Sequence, residues 1–285
     1  MRQTLIMLLW LLPCVAPADP SVPRTIVTTF HPIRLAVMNV TAGVEGLRIV
    51  NLAAPDVGCL HDYNPTPRDL ASLAGAGVLV ANGMGMESFL GDVHRRYPGL
   101  RVIEAGAGIE GLVSGGQTNA HVWVSPSRYA REVRAIGEGL AAWDPSHAAT
   151  YRTNAAAYAR SLECLRDRMA AGLASVTTRD MVTFHEAFAY FADDFNLKVV
   201  GVVEREPGAE PSAGELAGLI RRIRRDGVRV IFAEPQYSAK AAHSIARETG
   251  ARVHTLDPVV SGEVVPGAYV AAMEKNLAEL ISALR

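Results

Sequence analysis

Residues 145–173 read PSHAATYRTNAAAYARSLECLRDRMAAGL, and this stretch decides the fold. It is rich in Ala, Arg, Leu and Met, which favour helices, and it has no glycine before Gly172. Asp144 and Pro145 form a typical helix start, an N-cap followed by a proline in the first turn. At 1.5 Å per residue the helix would be about 43 Å long, which exceeds the width of a small domain. We therefore predict a helix that joins two lobes.

On both sides of this helix, β-rich runs alternate with helical ones, as in βαβ units with a mainly parallel sheet. The predicted strands are 25–30, 47–52, 78–81 and 101–104 before the helix, and 181–184, 198–203, 229–233 and 252–256 after it. A helix is also predicted over 86–97, and the glycine-rich residues 105–119 are predicted to form a loop. The predicted fold is α/β, with an N-terminal lobe at 19–143, a connecting helix at 144–175 and a C-terminal lobe at 176–285.

The composition excludes several classes of protein. With 49% hydrophobic and 20% charged residues the chain is not a disordered protein, and a net charge of -1 is unlike that of a nucleic-acid binder. Residues 1–18 combine Arg2, an apolar run and the A-x-A site that ends at Ala18, which is typical of a secretory signal peptide. We expect cleavage near Ala18 and a mature protein in the periplasm.

Four residues with metal-binding side chains follow predicted strands. His61, His121 and His185 lie just after strands or in loops that lead from them, and Asp257 stands at the end of the last one. Because ligands of open α/β sheets bind beyond the carboxyl ends of the strands, these groups could converge between the lobes. Three imidazole nitrogens and one carboxylate suit tetrahedral Zn²⁺. Taken alone, a histidine after a strand is more often a structural residue than a ligand, so the spacing by itself gives only a hypothesis.

The segments around these residues resemble a known family. They read HDYNPTPRDL at 61–70, NAHVWVSP at 119–126, TFHEAFAYFADDFNL at 183–197 and FAEPQYSAKAAHSIARETGARVHTLDP at 232–258. In this order they resemble the ligand segments of the periplasmic metal-binding proteins of ABC importers for zinc and manganese, the ZnuA/TroA type. The resemblance covers essentially the whole mature chain. It implies two lobes bridged by a rigid helix, with the metal between them.

The resemblance also implies the ligands, the cargo and the partners. The ligands would be His61, His121, His185 and Asp257, and a histidine at the third position is associated in this family with zinc. The protein would then carry one Zn²⁺ per chain to an ABC permease in the inner membrane, with Mn²⁺ or Fe²⁺ as the alternative cargo. It would act as a monomer without nucleic acid, and a periplasmic metallochaperone is a further candidate partner.

Several readings stay open at this stage. Asn119 stands where the second motif often carries Asp. Glu234 is either a hydrogen-bond acceptor for a ligand histidine or a residue that starts a helix. His31 either faces the cleft or belongs to a strand-to-helix junction. Cys59 and Cys164 could form a disulfide or stay separate. A secreted zinc hydrolase is the alternative of another class, although Ala189 occupies the second histidine position of an HExxH motif.

Overall fold

The computed structural model describes residues 24–54, 57–61, 63–114, 117–204 and 211–285, so the predicted signal peptide lies outside the described residues. The N-terminal lobe is built on a parallel sheet with the strand order β2-β1-β3-β4. Its strands are β1 (Arg24–Thr28), β2 (Leu47–Asn51), β3 (Val78–Ala81) and β4 (Arg101–Glu104). The side chains of β3 are all buried, as expected for a parallel sheet that is covered on both faces.

A short antiparallel hairpin follows, formed by β5 (Val113–Ser114) and β6 (Gln117–Thr118). It lies inside residues 105–119, so the prediction of a plain loop was wrong there. Strands of two residues are too short to produce a recognisable alternation of polar and apolar positions.

The C-terminal lobe repeats the architecture of the first with the strand order β10-β9-β7-β8, again all parallel. Its strands are β7 (Asp180–Thr183), β8 (Lys198–Val202), β9 (Val230–Ala233) and β10 (Arg252–Thr255). The two-lobed α/β fold predicted from the sequence is therefore confirmed. The exact lobe boundaries at 143 and 176 stay a prediction.

Nine α-helices lie within the described ranges. They are α1 (His31–Val40), α2 (Pro67–Ala74), α3 (Leu90–Arg96), α4 (Pro126–Trp143), α5 (Ala148–Leu173), α6 (Ala189–Asp194), α7 (Ala213–Asp226), α8 (Lys240–Thr249) and α9 (Ala268–Leu284). None of the helices in this part of the chain is long and apolar enough to cross a membrane. The helix predicted over 86–97 spans only Leu90–Arg96, and it follows a turn in which Met84 and Gly85 adopt positive φ angles of 59° and 87°.

Helix α5 is the connecting helix, about 39 Å long over its 26 residues. It packs against α1 and α4 of the N-terminal lobe and against α9 of the C-terminal lobe. The preceding residues Pro145–His147 form a turn of 3-10 helix. This tighter turn accompanies hydrogen bonds from Ser146 and Tyr151 to the buried carboxylate of Asp144.

The hydrophobic core is shared by the two lobes. A single cluster of buried side chains includes residues of both sheets and of α5. Trp123 packs edge-on against Phe30 with ring centroids 4.9 Å apart, and its indole N–H donates to the carbonyl oxygen of Pro258 at 2.8 Å. The residues next to Trp123 are therefore held at the boundary between the lobes.

Cys59 and Cys164 do not form a disulfide. Cys164 is exposed on α5, whereas Cys59 is partly buried in the loop after β2.

Candidate metal centre

His185 lies at the carboxyl end of the C-terminal sheet, directly after β7, and is fully buried. Its backbone carbonyl oxygen accepts a hydrogen bond from the Thr183 hydroxyl at 2.9 Å. Its Nδ1 is 2.6 Å from Oε1 of Glu234, which follows the neighbouring strand β9. The parallel pairing of β7 with β9 thus brings the imidazole and the carboxylate to the same edge of the sheet. This contact favours a proton on Nδ1 and leaves the lone pair of Nε2 available to a metal ion.

His121 comes from the N-terminal lobe and is also buried, one residue before the 3-10 turn at Val122–Val124. The carbonyl oxygen of the Asn119 side chain accepts a hydrogen bond from the His121 backbone amide at 2.9 Å and lies 3.0 Å from Nδ1 of the ring. The amide nitrogen of Asn119 donates to the carbonyl oxygen of Glu186 in the other lobe at 2.8 Å. Asn119 therefore orients His121 and connects the two lobes.

His61 is the most exposed of the three histidines and lies in the loop after β2. Its Nε2 is 3.2 Å from Nε2 of His121. The loop ends at α2, where Thr66 and Asp69 form a capping box and the Tyr63 hydroxyl donates to Asp69 at 2.7 Å. This framework holds the loop close to the other histidines.

The spacing of the ring nitrogens matches one metal ion. The Nε2 atoms of His61 and His185 lie 3.2 and 3.3 Å from Nε2 of His121. Two nitrogens bound to the same Zn²⁺ at 2.0–2.1 Å in tetrahedral geometry would be about 3.3–3.4 Å apart. The two separations from His121 therefore have the length expected for pairs of ligands of a single tetrahedral ion.

Asp257 follows β10, as predicted, but its carboxylate is engaged with its own lobe. Its Oδ1 accepts hydrogen bonds from the side-chain amide of Gln236 at 3.0 Å and from the backbone amide of Val259 at 2.8 Å. Among the described residues, the compact group of metal-binding atoms within 4.8 Å of one another contains Cys59, His121 and His185 and includes neither Asp257 nor His61. The assignment of Asp257 as a ligand stays a prediction.

His31 begins α1 and is almost fully buried. Its Nε2 has no hydrogen-bond partner within the part of the chain that the structure describes. Burial lowers the pKa of its imidazole, while the negative charge of Asp257 acts in the opposite direction. His31 therefore lies at the strand-to-helix junction, close enough to Asp257 for the charge of that carboxylate to act on its imidazole.

Comparison with known proteins identifies the family to which this chain belongs. The family model for the zinc-uptake complex component A, periplasmic (ZnuA), matches residues 26–283. The chain belongs to the ZnuA family. This is a family of transport components, which confirms the prediction of a binding protein rather than an enzyme.

Individual relatives of this ZnuA family member carry names with different metals. The zinc-binding lipoprotein AdcA of Streptococcus pneumoniae is 29% identical over 293 residues, a match that covers 95% of this chain and 58% of AdcA. The iron-binding protein YfeA of Yersinia pestis is 30% identical over 83% of this chain and 77% of its own length. The structure of FpvC of Pseudomonas aeruginosa in complex with Mn²⁺ superposes with a TM-score of 0.83 at 31% identity, covering 92% of this chain and 98% of FpvC. The chain thus spans little more than half the length of AdcA.

The two buried histidines of this ZnuA family member have opposite pKa shifts. Burial, together with the neighbouring His185 and His61, lowers the pKa of His121 well below its usual value. Burial also acts to lower the pKa of His185, but the nearby Cys59 and Glu234 outweigh it and raise the pKa. The imidazole of the C-terminal lobe therefore binds its proton more tightly than that of the N-terminal lobe.

Two residues at the centre have roles that the sequence did not indicate. Gln236 contacts Asp257, and Cys59 places its Sγ 3.5 Å from Nε2 of His185. Cys59 stands two positions before His61, and this proximity was the one signal in the sequence that could have linked it to the metal centre.

Proposed function

We propose that the protein captures Zn²⁺ in the periplasm and delivers it to an ABC-type permease for import. It would act as a monomer that carries one ion. The observation that carries the proposal is the convergence of three histidine nitrogens, two from the N-terminal lobe and one from the C-terminal lobe, at separations of 3.2 and 3.3 Å. Membership of the ZnuA family supports the transport role.

The proposed nitrogen ligands are His61, His121 and His185. Glu234 and Asn119 would fix the Nδ1 sides of His185 and His121, so that both Nε2 atoms point at the ion. Asp257 is the proposed oxygen donor, through whichever carboxylate oxygen reaches the ion. A closed site of this kind binds an ion without the open coordination position that a zinc hydrolase needs.

The test is a competition titration of the chelator-stripped protein with Zn²⁺ and a coloured chelator. We expect one tight equivalent of zinc in the unmodified protein. His121→Ala should weaken zinc binding by more than roughly 100-fold, because even the loss of a group that only orients a ligand typically costs 10–100-fold.

The matched control is His147→Ala. His147 lies at the start of the connecting helix, half-exposed and beside Asp144, outside the cluster of ring nitrogens. This variant should bind zinc like the unmodified protein. Equal zinc affinities for His121→Ala and His147→Ala would contradict the ligand assignment.

The second candidate is the same transport role with Mn²⁺ or Fe²⁺ as cargo. It is favoured by the name of YfeA as an iron-binding protein and by the Mn²⁺ complex of FpvC. A site dominated by imidazole nitrogens suits zinc better than manganese, which prefers more oxygen ligands. Repeating the titration with Mn²⁺ and Fe²⁺ decides between the cargoes, and a preference for either over Zn²⁺ would contradict our proposal.

A further inference from the structure

A sulfur atom lies among the ring nitrogens of the centre. Sγ of Cys59 is 3.5 Å from Nε2 of His185, and Cys59, His121 and His185 each offer one atom to a group in which all separations are within 4.8 Å. Cys59 is partly buried next to the core, in contrast to the exposed Cys164. The alternative to a ligand role is a thiol that only forms a hydrogen bond with the imidazole of His185, and a metal-loaded sample distinguishes the two.

The distance from Cys59 to His185 equals that expected for two ligands of one ion. A sulfur at 2.3 Å and a nitrogen at 2.0–2.1 Å from a tetrahedral Zn²⁺ would lie about 3.5–3.6 Å apart. The observed separation is 3.5 Å. Three separations between donor atoms, Cys59–His185 at 3.5 Å and the two nitrogen separations of 3.2 and 3.3 Å, thus have the lengths expected for pairs of zinc ligands. Asp257, whose Oδ1 is held by Gln236 and Val259, lies outside the compact group of described donor atoms, and so does His61, which approaches it through Nε2 of His121.

The local backbone and the side chain of Tyr237 hold Cys59 next to His185. Gly58 has a φ of +76°, and a Cβ atom there would lie 2.4 Å from the Tyr237 hydroxyl oxygen. Tyr237 stacks on Phe184 with ring centroids 5.4 Å apart and meets His185 edge-on at 6.2 Å. Burial raises the pKa of the Tyr237 hydroxyl, and the nearby backbone of Cys59 acts in the opposite direction. A residue of the C-terminal lobe therefore holds the Cys59 backbone beside His185.

We infer that Cys59 supplies a thiolate sulfur to the metal ion beside His121 and His185, as a donor in addition to the ligands proposed above. This inference rests on the proposed function, since it concerns the same ion. Binding replaces the S–H bond with a sulfur–metal bond and releases one proton to water, so no oxidant or reductant takes part. Because thiolate is a soft ligand, the site selects Zn²⁺ over Mn²⁺ more strongly than a site with a carboxylate in its place.

Cobalt provides the direct test, because a thiolate bound to Co²⁺ gives a charge-transfer absorption band in the near ultraviolet. The protein from Asp19 onward contains two thiols, Cys59 and Cys164. We expect the band in the Co²⁺-loaded unmodified protein and in Cys164→Ser, and its loss in Cys59→Ser. Zinc affinity should fall on the order of tenfold or more in Cys59→Ser, with little change for Mn²⁺.

The outcomes separate this inference from the proposed function. A protein that binds one Zn²⁺ tightly but shows no thiolate band with Co²⁺ overturns the role of Cys59 and leaves the transport role standing. A band that survives in Cys59→Ser overturns the role of Cys59 in the same way. A protein that binds neither Zn²⁺ nor Co²⁺ overturns both. The band in the unmodified protein and in Cys164→Ser does not depend on how well Cys59→Ser folds.

Discussion

The two lobes orient their buried histidines with different chemical groups. In the C-terminal lobe, the Glu234 carboxylate lies 2.6 Å from Nδ1 of His185. In the N-terminal lobe, the neutral side-chain amide of Asn119 lies 3.0 Å from Nδ1 of His121. The rings are alike in burial and lie 5.0 Å apart, and on their Nδ1 sides they differ in the charge of the acceptor.

This difference affects how each imidazole binds a metal. A carboxylate on the Nδ1 side fixes the tautomer and makes Nε2 a more basic ligand, whereas an amide oxygen fixes the tautomer without adding charge. A charge-assisted hydrogen bond is also roughly twice as strong as a neutral one. We therefore expect His185 to be the anchor of the site, and His121 to depend more on the hydrogen bonds by which Asn119 joins the lobes.

Removing the charge of Glu234, which orients His185, should weaken zinc binding more than a change at Asn119 or Asp144. Glu234→Gln keeps the size of the side chain but loses its charge, so zinc should bind roughly 10–100-fold more weakly. Isothermal titration or competition with a coloured chelator measures the change. Glu279→Gln is the matched control, since Glu279 lies 3.2 Å from Nδ1 of His254 at the surface. If Glu234→Gln bound zinc as tightly as Glu279→Gln, the Glu234 carboxylate would contribute nothing to zinc binding by His185.

Truncating the neutral acceptor should have a smaller effect. Asn119→Ala removes two hydrogen bonds to His121 and the bond to Glu186, and zinc affinity should fall by roughly tenfold, near the lower end for groups that orient a ligand. The control is Asn154→Ala, because Asn154 donates to the backbone of Val40 and Ala42 and has no contact with the three histidines. A loss greater than that in Glu234→Gln would reverse the comparison and make His121 the anchor.

The sequence predicts the parts of the site that depend on strand ends. The buried run MVTF is followed at once by His185, and the run VIFA by Glu234, so the parallel strands β7 and β9 bring both residues to one edge. The two-lobed arrangement follows in the same way from the alternation of strands and helices around α5. These features rest on local periodicity, which a single sequence contains.

The parts that depend on contacts between loops could not be predicted. The position of Cys59 requires a positive φ at Gly58 and the approach of Tyr237 from the other lobe. The engagement of Asp257 by Gln236 joins residues at the ends of two neighbouring strands, and neither spacing nor composition indicates a hydrogen bond between them. Asn119 replaces the Asp expected in the second motif, yet its oxygen still lies at hydrogen-bond distance from Nδ1 of His121.

The smallest effect on zinc affinity is expected from a substitution at Asp144, next to the helix that connects the lobes. Asp144 is buried before α5 and accepts hydrogen bonds from Arg24, with which it forms a salt bridge, and from Tyr151. Asp144→Asn should reduce the free energy of unfolding by about 2–3 kcal/mol, because charged groups lose their partner. If each imidazole is controlled by its own acceptor, zinc affinity should stay within about twofold of the unmodified protein.

The pH dependence of stability provides a second readout of the same change. Burial acts to raise the pKa of Asp144, but the hydrogen bonds from Arg24, Ser146 and Tyr151 outweigh it and hold the pKa well below the usual value. A carboxyl whose pKa is lower in the folded state stabilises the fold above its unfolded pKa of about 3.9 and loses this contribution as the pH falls below it. Urea unfolding should therefore show a constant deficit in Asp144→Asn above about pH 5 that shrinks toward pH 3. The control is Asp167→Asn, which removes an exposed ion pair with Arg166 and should show almost no loss of stability at any pH. A large loss of zinc affinity in Asp144→Asn, but not in this control, would contradict the view that Glu234 and Asn119 control the two histidines locally.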